Sequence, residues 1–195
     1  MDSGDLDSRG RIASAALAEF AEFGFDGARI ARIAERARVN KQLLYYYFGS
    51  KDKLYEAIVQ IVADALGTRS RGRLGSGNPV DRIRGRLRAV SDHLDLHLDQ
   101  TAVVLAAVSE RHDRTAPIRT AVSDLAAQVE REISAAQGMG HFRDDMDPEM
   151  AAAEAVTLLL GYFSLQPVWG QLETKRSPTD WIQSVGDLLV RSFSW

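Results

Sequence analysis

Ile33-Ala34-Glu35-Arg36-Ala37-Arg38-Val39-Asn40-Lys41-Gln42-Leu43-Leu44-Tyr45-Tyr46-Tyr47-Phe48 reads as two short helices joined by a tight turn. Apolar Ile30, Ile33, Ala34 and Ala37 recur at helical spacing, Asn40 supplies an N-cap, and a second helix runs from Lys41 to Tyr47 or Phe48. Two helices joined by three or four residues make a helix-turn-helix. Ile33, Ala37, Val39, Leu44 and Phe48 lock the pair, while Lys41, Gln42, Leu43, Tyr45, Tyr46 and Tyr47 project outward. At roughly 1.5 Å per residue the second helix is about 10 Å long. That is enough to lay one face against a few base pairs of a major groove.

Charge points the same way. Residues 29–53 carry seven Lys/Arg against two acidic residues, whereas residues 74–195 carry 12 against 17. The net charge of -3 conceals this basic block, which suits a polyanion. Three consecutive tyrosines beside it offer hydroxyls to phosphates.

On these residues the sequence resembles the tetracycline-repressor (TetR) family of bacterial transcription regulators. The likeness covers about residues 10–62: Arg11-Ile12, Leu17 and Phe20, Gly24-Phe25, Ile33-Ala34, then Leu44 through Leu54 without a gap. Three departures stand out. Arg38 sits in the turn where the family usually has glycine, so the backbone must avoid positive φ there or accept strain. Ile30 replaces a Ser or Thr that commonly touches phosphate, and Tyr47 replaces a histidine. The resemblance implies that Lys41, Gln42, Leu43 and Tyr45 face base edges or the groove wall. It implies that Tyr46, Tyr47 and Lys51 hold phosphates, assisted by Arg29. Gln42 can pair bidentately with adenine and Leu43 can touch a thymine methyl.

Beyond this stretch the chain reads as helices, with no sustained strand-like alternation. A first helix carries Ile12, Ala16, Phe20 and Phe23 and ends at Gly24; a fourth, capped by Ser50, carries Leu54, Ile58, Ile61, Val62 and Ala65. Gly67 to Pro79 is glycine- and arginine-rich and reads as a fray or linker. Asn78-Pro79-Val80-Asp81 restarts a fifth helix through Leu94, Ala102 to Val108 belongs to a sixth, and Ile118 to Ile133 to a seventh closed by Gly138 and Gly140. Asp147-Pro148 and Ser177-Pro178 open an eighth and a ninth, and Pro167 should end or kink the eighth. The eighth is apolar nearly all round between Ala155 and Leu165, so it needs cover on more than one side. Val156 and Leu160, with Trp181, Val185 and Leu189 of the ninth, are the expected homodimer interface.

The remaining chemistry is sparse. The chain has 195 residues and no cysteine, which excludes disulfides and thiolate sites. No apolar run approaches the ~20 residues of a membrane span, and the acidic start is unlike a signal peptide, so a cytoplasmic protein is expected. His93 and His97 stand four apart, but no third ligand accompanies them, and pocket-lining or exposed histidines is the plainer reading. No metal, cofactor or catalytic constellation is indicated. A small-molecule pocket is expected in the C-terminal bundle. Its candidate lining includes His93, His97, His112 and Phe142. Tyr162, Phe163, Gln166 and Trp169 are further candidates, although each also reads as plain core.

The expectation is therefore an all-α chain of about nine helices: a helix-turn-helix domain over residues 1–53, then a ligand-binding and dimerisation domain over 54–195. Its partners would be double-stranded operator DNA, an unknown small-molecule effector and a second copy of itself. It would act as a repressor released by the effector; the alternative is a ligand-independent or architectural DNA-binding protein of the same fold. No enzyme activity is expected.

Overall fold

A computed structural model describes residues 3–72, 77–110 and 112–169, with Asp180 and Ser184. Among these residues every regular element is helical: α1 (Ser3–Gly27), α2 (Ile30–Arg36), α3 (Lys41–Phe48), α4 (Lys51–Arg71), α5 (Pro79–Leu96), α6 (Leu98–Ser109), a 3-10 turn (Asp113–Thr115), α7 (Ala116–Gly138) and α8 (Pro148–Trp169). The expected ninth helix, with Trp181, Val185 and Leu189, lies outside the described residues. The chain packs as two units, Met1–Asp64 with Leu98–Arg119, and Ala65–His97 with Thr120–Trp195.

Unit one is built on α1. Its residues Ile12, Ala15, Ala16 and Phe20 are buried, and the helix packs against α6, α2 and α3. Gly24 interrupts α1 at φ 66°, a left-handed value that glycine adopts without steric cost. α6 turns Val103, Val104 and Ala107 inward, so the compact unit extends past residue 53 and includes a distant stretch of chain.

The turn between α2 and α3 resolves the question raised by Arg38. The Val39 N–H donates to the Ala34 carbonyl at 3.0 Å and the Arg38 N–H to the Glu35 carbonyl at 3.0 Å. This paired closure of a helix C-terminus places its C′ residue in the left-handed region, a place normally taken by glycine. Arg38 occupies it at φ 55°. The strain, about 1–2 kcal/mol for a residue with a Cβ, is accepted. Asn40 then caps α3, its side chain accepting from the Leu43 N–H at 2.7 Å, and Ser50 caps α4 by accepting from the Lys53 N–H at 3.1 Å.

In unit two, α5 packs on α8. Ile83, Leu87, Val90 and Leu94 of α5, Leu125, Val129 and Ile133 of α7, and Ala155, Leu159 and Phe163 of α8 form the buried faces. Asn78 caps α5 by accepting from the Asp81 N–H at 2.9 Å, with Pro79 at the first helical turn. Between α7 and α8, Gln137 donates to the carbonyls of Arg143 and Met146 at 2.9 and 2.8 Å.

Three boundaries differ from the sequence reading. The expected fray at Gly67 is helix: α4 continues to Arg71 because Gly67 and Ser70 are buried, and Ser70 donates to the Gly67 carbonyl at 3.0 Å. A Cβ at Gly67 would meet the Arg71 guanidinium at 2.9 Å, so glycine here makes room for a neighbour within a helix. α6 begins at Leu98, separated from α5 only by His97 in a non-helical conformation. α8 runs two residues past Pro167 to Trp169, so of the two expected effects, an end or a kink, the proline does not end the helix.

Candidate nucleic-acid interface

α3 buries one side and leaves the other bare. Leu44 and Phe48 are in the core, whereas Lys41, Gln42, Tyr45 and Tyr46 are exposed and Leu43 and Tyr47 half-buried. Lys41 and Tyr45, and likewise Gln42 and Tyr46, are four apart and share the outward face. Tyr46 is 79% exposed, with its ring against that of Tyr47 at 5.3 Å. A tyrosine this exposed adds nothing to the core; it offers a ring and a hydroxyl to whatever meets the surface.

The edges of this face are anchored. Lys51 is half-buried, its ammonium 3.4 Å from the Asp26 carbonyl and 4.7 Å from the Phe25 ring centroid. Arg114 also packs on this ring, its guanidinium 3.7 Å from the centroid. Arg29 is exposed at the N-cap of α2, where its backbone N–H donates to Glu19 Oε1 at 2.9 Å.

Glu19 is a residue that the sequence reading missed. It is 0% exposed, and Oε1 also accepts from Arg32 at 2.6 Å. Arg32 in turn donates to the Gly27 carbonyl at 2.8 Å and lies over the Phe23 ring. Burial by itself raises the Glu19 carboxyl. The Arg32 hydrogen bond, the Arg29 N–H and the charges of Arg32 and Arg36 overcome that and hold it below the usual carboxylate value. One buried carboxylate thus fixes the start of α2 against α1, and α2 carries α3.

The candidate effector residues fall in different places. In unit two His93, Phe142, Tyr162 and Phe163 are buried, Gln166 is half-buried and His97 is exposed. The His93 and His97 rings lie 4.6 Å apart and those of Tyr162 and Phe163 meet edge-on at 5.3 Å. Burial, then the Asp95 charge, raises the Tyr162 phenol. His112 belongs to unit one, exposed, with Nδ1 accepting from the Arg114 N–H at 3.3 Å. The Trp169 side chain lies outside the described residues. No group of three or more His, Asp or Glu is arranged to hold a metal ion among the described residues, and none of their helices is long and apolar enough to cross a membrane.

α8 separates its apolar residues more sharply than composition suggested. Val156, placed at a subunit interface by the sequence reading, is 4% exposed within its own chain, and Leu160 is half-buried. Leu158 at 38%, Leu165 at 46% and Val168 are the exposed large apolar residues toward the end of this helix. The uniform apolarity of the helix gave no polar contrast by which to find them.

Residues 12–58 match the family described as bacterial regulatory proteins, tetR family. Over 193 residues the chain is 29% identical to the HTH-type transcriptional repressor NicS of Pseudomonas putida, covering 94% of this chain and 91% of that protein. It is 51% identical over 53 residues to the repressor SCO4008 of Streptomyces coelicolor, a match taking 27% of this chain and 28% of that one. Its fold is shared with the regulator PfmR of Thermus thermophilus, at a TM-score of 0.77 and 17% identity over 93% of this chain and 97% of that one.

Proposed function

We propose that this chain, whose residues 12–58 match the family of bacterial regulatory proteins described as tetR and which is 29% identical to the repressor NicS over 94% of its length, represses transcription as a homodimer on operator DNA, released by a small molecule. DNA-binding regulation is the function of the family. The observation that carries the reading to particular residues is the bare face of α3, with Lys41, Gln42, Tyr45 and Tyr46 exposed beside a basic block. Lys41, Gln42, Leu43 and Tyr45 face base edges or the groove wall, and Tyr46, Tyr47 and Lys51, assisted by Arg29, hold phosphates. Residues 1–53 carry this surface; residues 54–195 supply dimerisation and the effector pocket. The protein works in the cytoplasm, and no enzymatic step enters.

The phosphate role of Lys51 has a distinct signature. Lys51→Ala should weaken binding to every DNA sequence alike and reduce the slope of log affinity against log salt by about one unit. Lys51→Arg, which keeps the charge, should restore the slope. Unchanged affinity and slope in Lys51→Ala would contradict the docking.

Release requires a ligand that prefers the conformation unable to engage both half-sites. α4 suits this coupling because it contributes to both packing units, Lys51 to Asp64 in one and Ala65 to Arg71 in the other. Coupling of about 1–3 kcal/mol corresponds to roughly a 5- to 150-fold change. Reciprocity then demands that operator DNA weaken the ligand by the same factor. A ligand bound in the bundle with DNA affinity untouched would leave a repressor without this release.

A further inference from the structure

We propose that unit two carries a binding groove for the carboxylate or phosphate group of a small organic anion, formed by Arg71, Arg86 and Arg131. The groove is open to solvent, with a volume of about 410 Å³, and is lined by these three residues with Asp124, Ala127 and Gln128. That volume lies within the usual span of small-molecule sites. Three guanidinium groups share the space with one carboxylate, so the wall is net positive.

Arg86 is what distinguishes this groove from an ordinary solvated patch of arginines. It is 9% exposed, and its Nη1 donates to the Ser70 carbonyl and to Gln128 Oε1. Its Nε is buried without a hydrogen-bond partner among the described residues. Its ion-pair partner, Glu132, lies 3.7 Å from Nη2 and is shared with Arg82, which donates to it at 2.7 Å. Arginine keeps its charge when buried, so the deficit cannot be relieved by losing a proton. Burial and the like charges of Arg131 and Arg82 press against the Arg86 charge, with Glu132 only partly offsetting them.

Position supports the same reading. Asp124, Gln128 and Arg131 are four and three apart on α7, one face of that helix, and Arg71 stands in the last turn of α4. Among the described residues neither Arg71 nor Arg131 is held in an ion pair. A carboxylate or phosphate entering the groove would supply the missing negative charge and accept from planar forks in the geometry guanidinium favours. Asp124 adds an acceptor for a hydroxyl or amine on the same molecule. The site is independent of the effector reading, since it requires an anion to bind and not that DNA be released.

The test is isothermal titration of the full chain with inorganic phosphate and, separately, citrate, at ionic strength held constant with sodium chloride. At least one should bind saturably to the wild type, and Arg71→Ala with Arg131→Ala should weaken it by tenfold or more. Both side chains are exposed, so the double variant should keep the wild-type melting transition; Arg131→Gln alone serves if it does not. Absence of saturable binding by either anion, or equal binding by the variants, would overturn the proposal. The variants should also bind random duplex DNA with unchanged affinity and salt slope. A fall in both would make the groove a DNA-phosphate contact and overturn it as well.

Discussion

Leu158→Glu combined with Leu165→Glu should yield a folded monomer whose operator affinity falls on the order of 10³-fold or more. Both side chains sit on the outward face of α8, 38% and 46% exposed, so charging them removes little of the chain's own core. Their effect should fall on the contact with a second copy, where a buried and unpaired carboxylate is strongly unfavourable. A stable dimer of standard size covers about 800 Å² per partner, and an apolar face on α8 is a natural centre for one. Loss of the dimer matters for DNA because α3 is short: eight residues reach only a few base pairs. A lone subunit therefore falls toward its non-specific affinity, typically at least about 10³ weaker than specific binding. Sedimentation velocity and operator titration on the same samples check this. A variant that stays dimeric, or a monomer with full affinity, would contradict the assignment of the face.

Glu19→Ala should destabilise the protein by about 2–3 kcal/mol. The substitution leaves the Arg29 N–H without its acceptor and Arg32 without its carboxylate. The figure stays below that for a fully buried ion pair because the Arg32 side chain is 34% exposed and water screens what remains. Glu19→Gln, which keeps an acceptor but not the charge, should lose less at pH 7. Its pH dependence separates the two contributions. The folded-state value of Glu19 lies below the ordinary 4.5, so its ionised form contributes stability above that pH. This contribution is lost as pH falls through the depressed value. Urea denaturation should therefore show the wild-type advantage over Glu19→Gln intact at neutral pH and shrinking below about 4.5. An advantage independent of pH would mean that the charge has no part in holding α2.

Local signals account for what the sequence made legible. Asn40, Ser50 and Asn78 announced their caps, because each bond is made within three residues. The turn at Arg38 was legible as a choice between two backbone states, and it takes the strained one. Tertiary context decided the rest. Gly67 looked like the start of a linker, yet burial of Ser70 and its carbonyl's bond to Arg86, 16 residues away, carry the helix on. Glu19 lies among apolar positions on α1 and reads as a solvent edge until Arg29 and Arg32 are placed around it. His112 and His93, both candidates for one pocket, belong to different packing units, a division that their spacing in the chain does not announce. The outward side of α8 is set by tertiary packing alone, because Leu158, Leu159 and Leu160 differ only in direction.

Selection of bound sequences from random duplex DNA, with the wild type and Gln42→Ala in parallel, tests most directly the claim that a dimer reads an operator through α3. The account predicts an inverted-repeat consensus whose half-sites are centred about one helical turn, roughly 34 Å, apart or a multiple of it. Gln42→Ala should lose preference at one base pair in each half-site and keep the others. Enrichment of no sequence, or of one without two-fold symmetry and insensitive to Gln42, would contradict it.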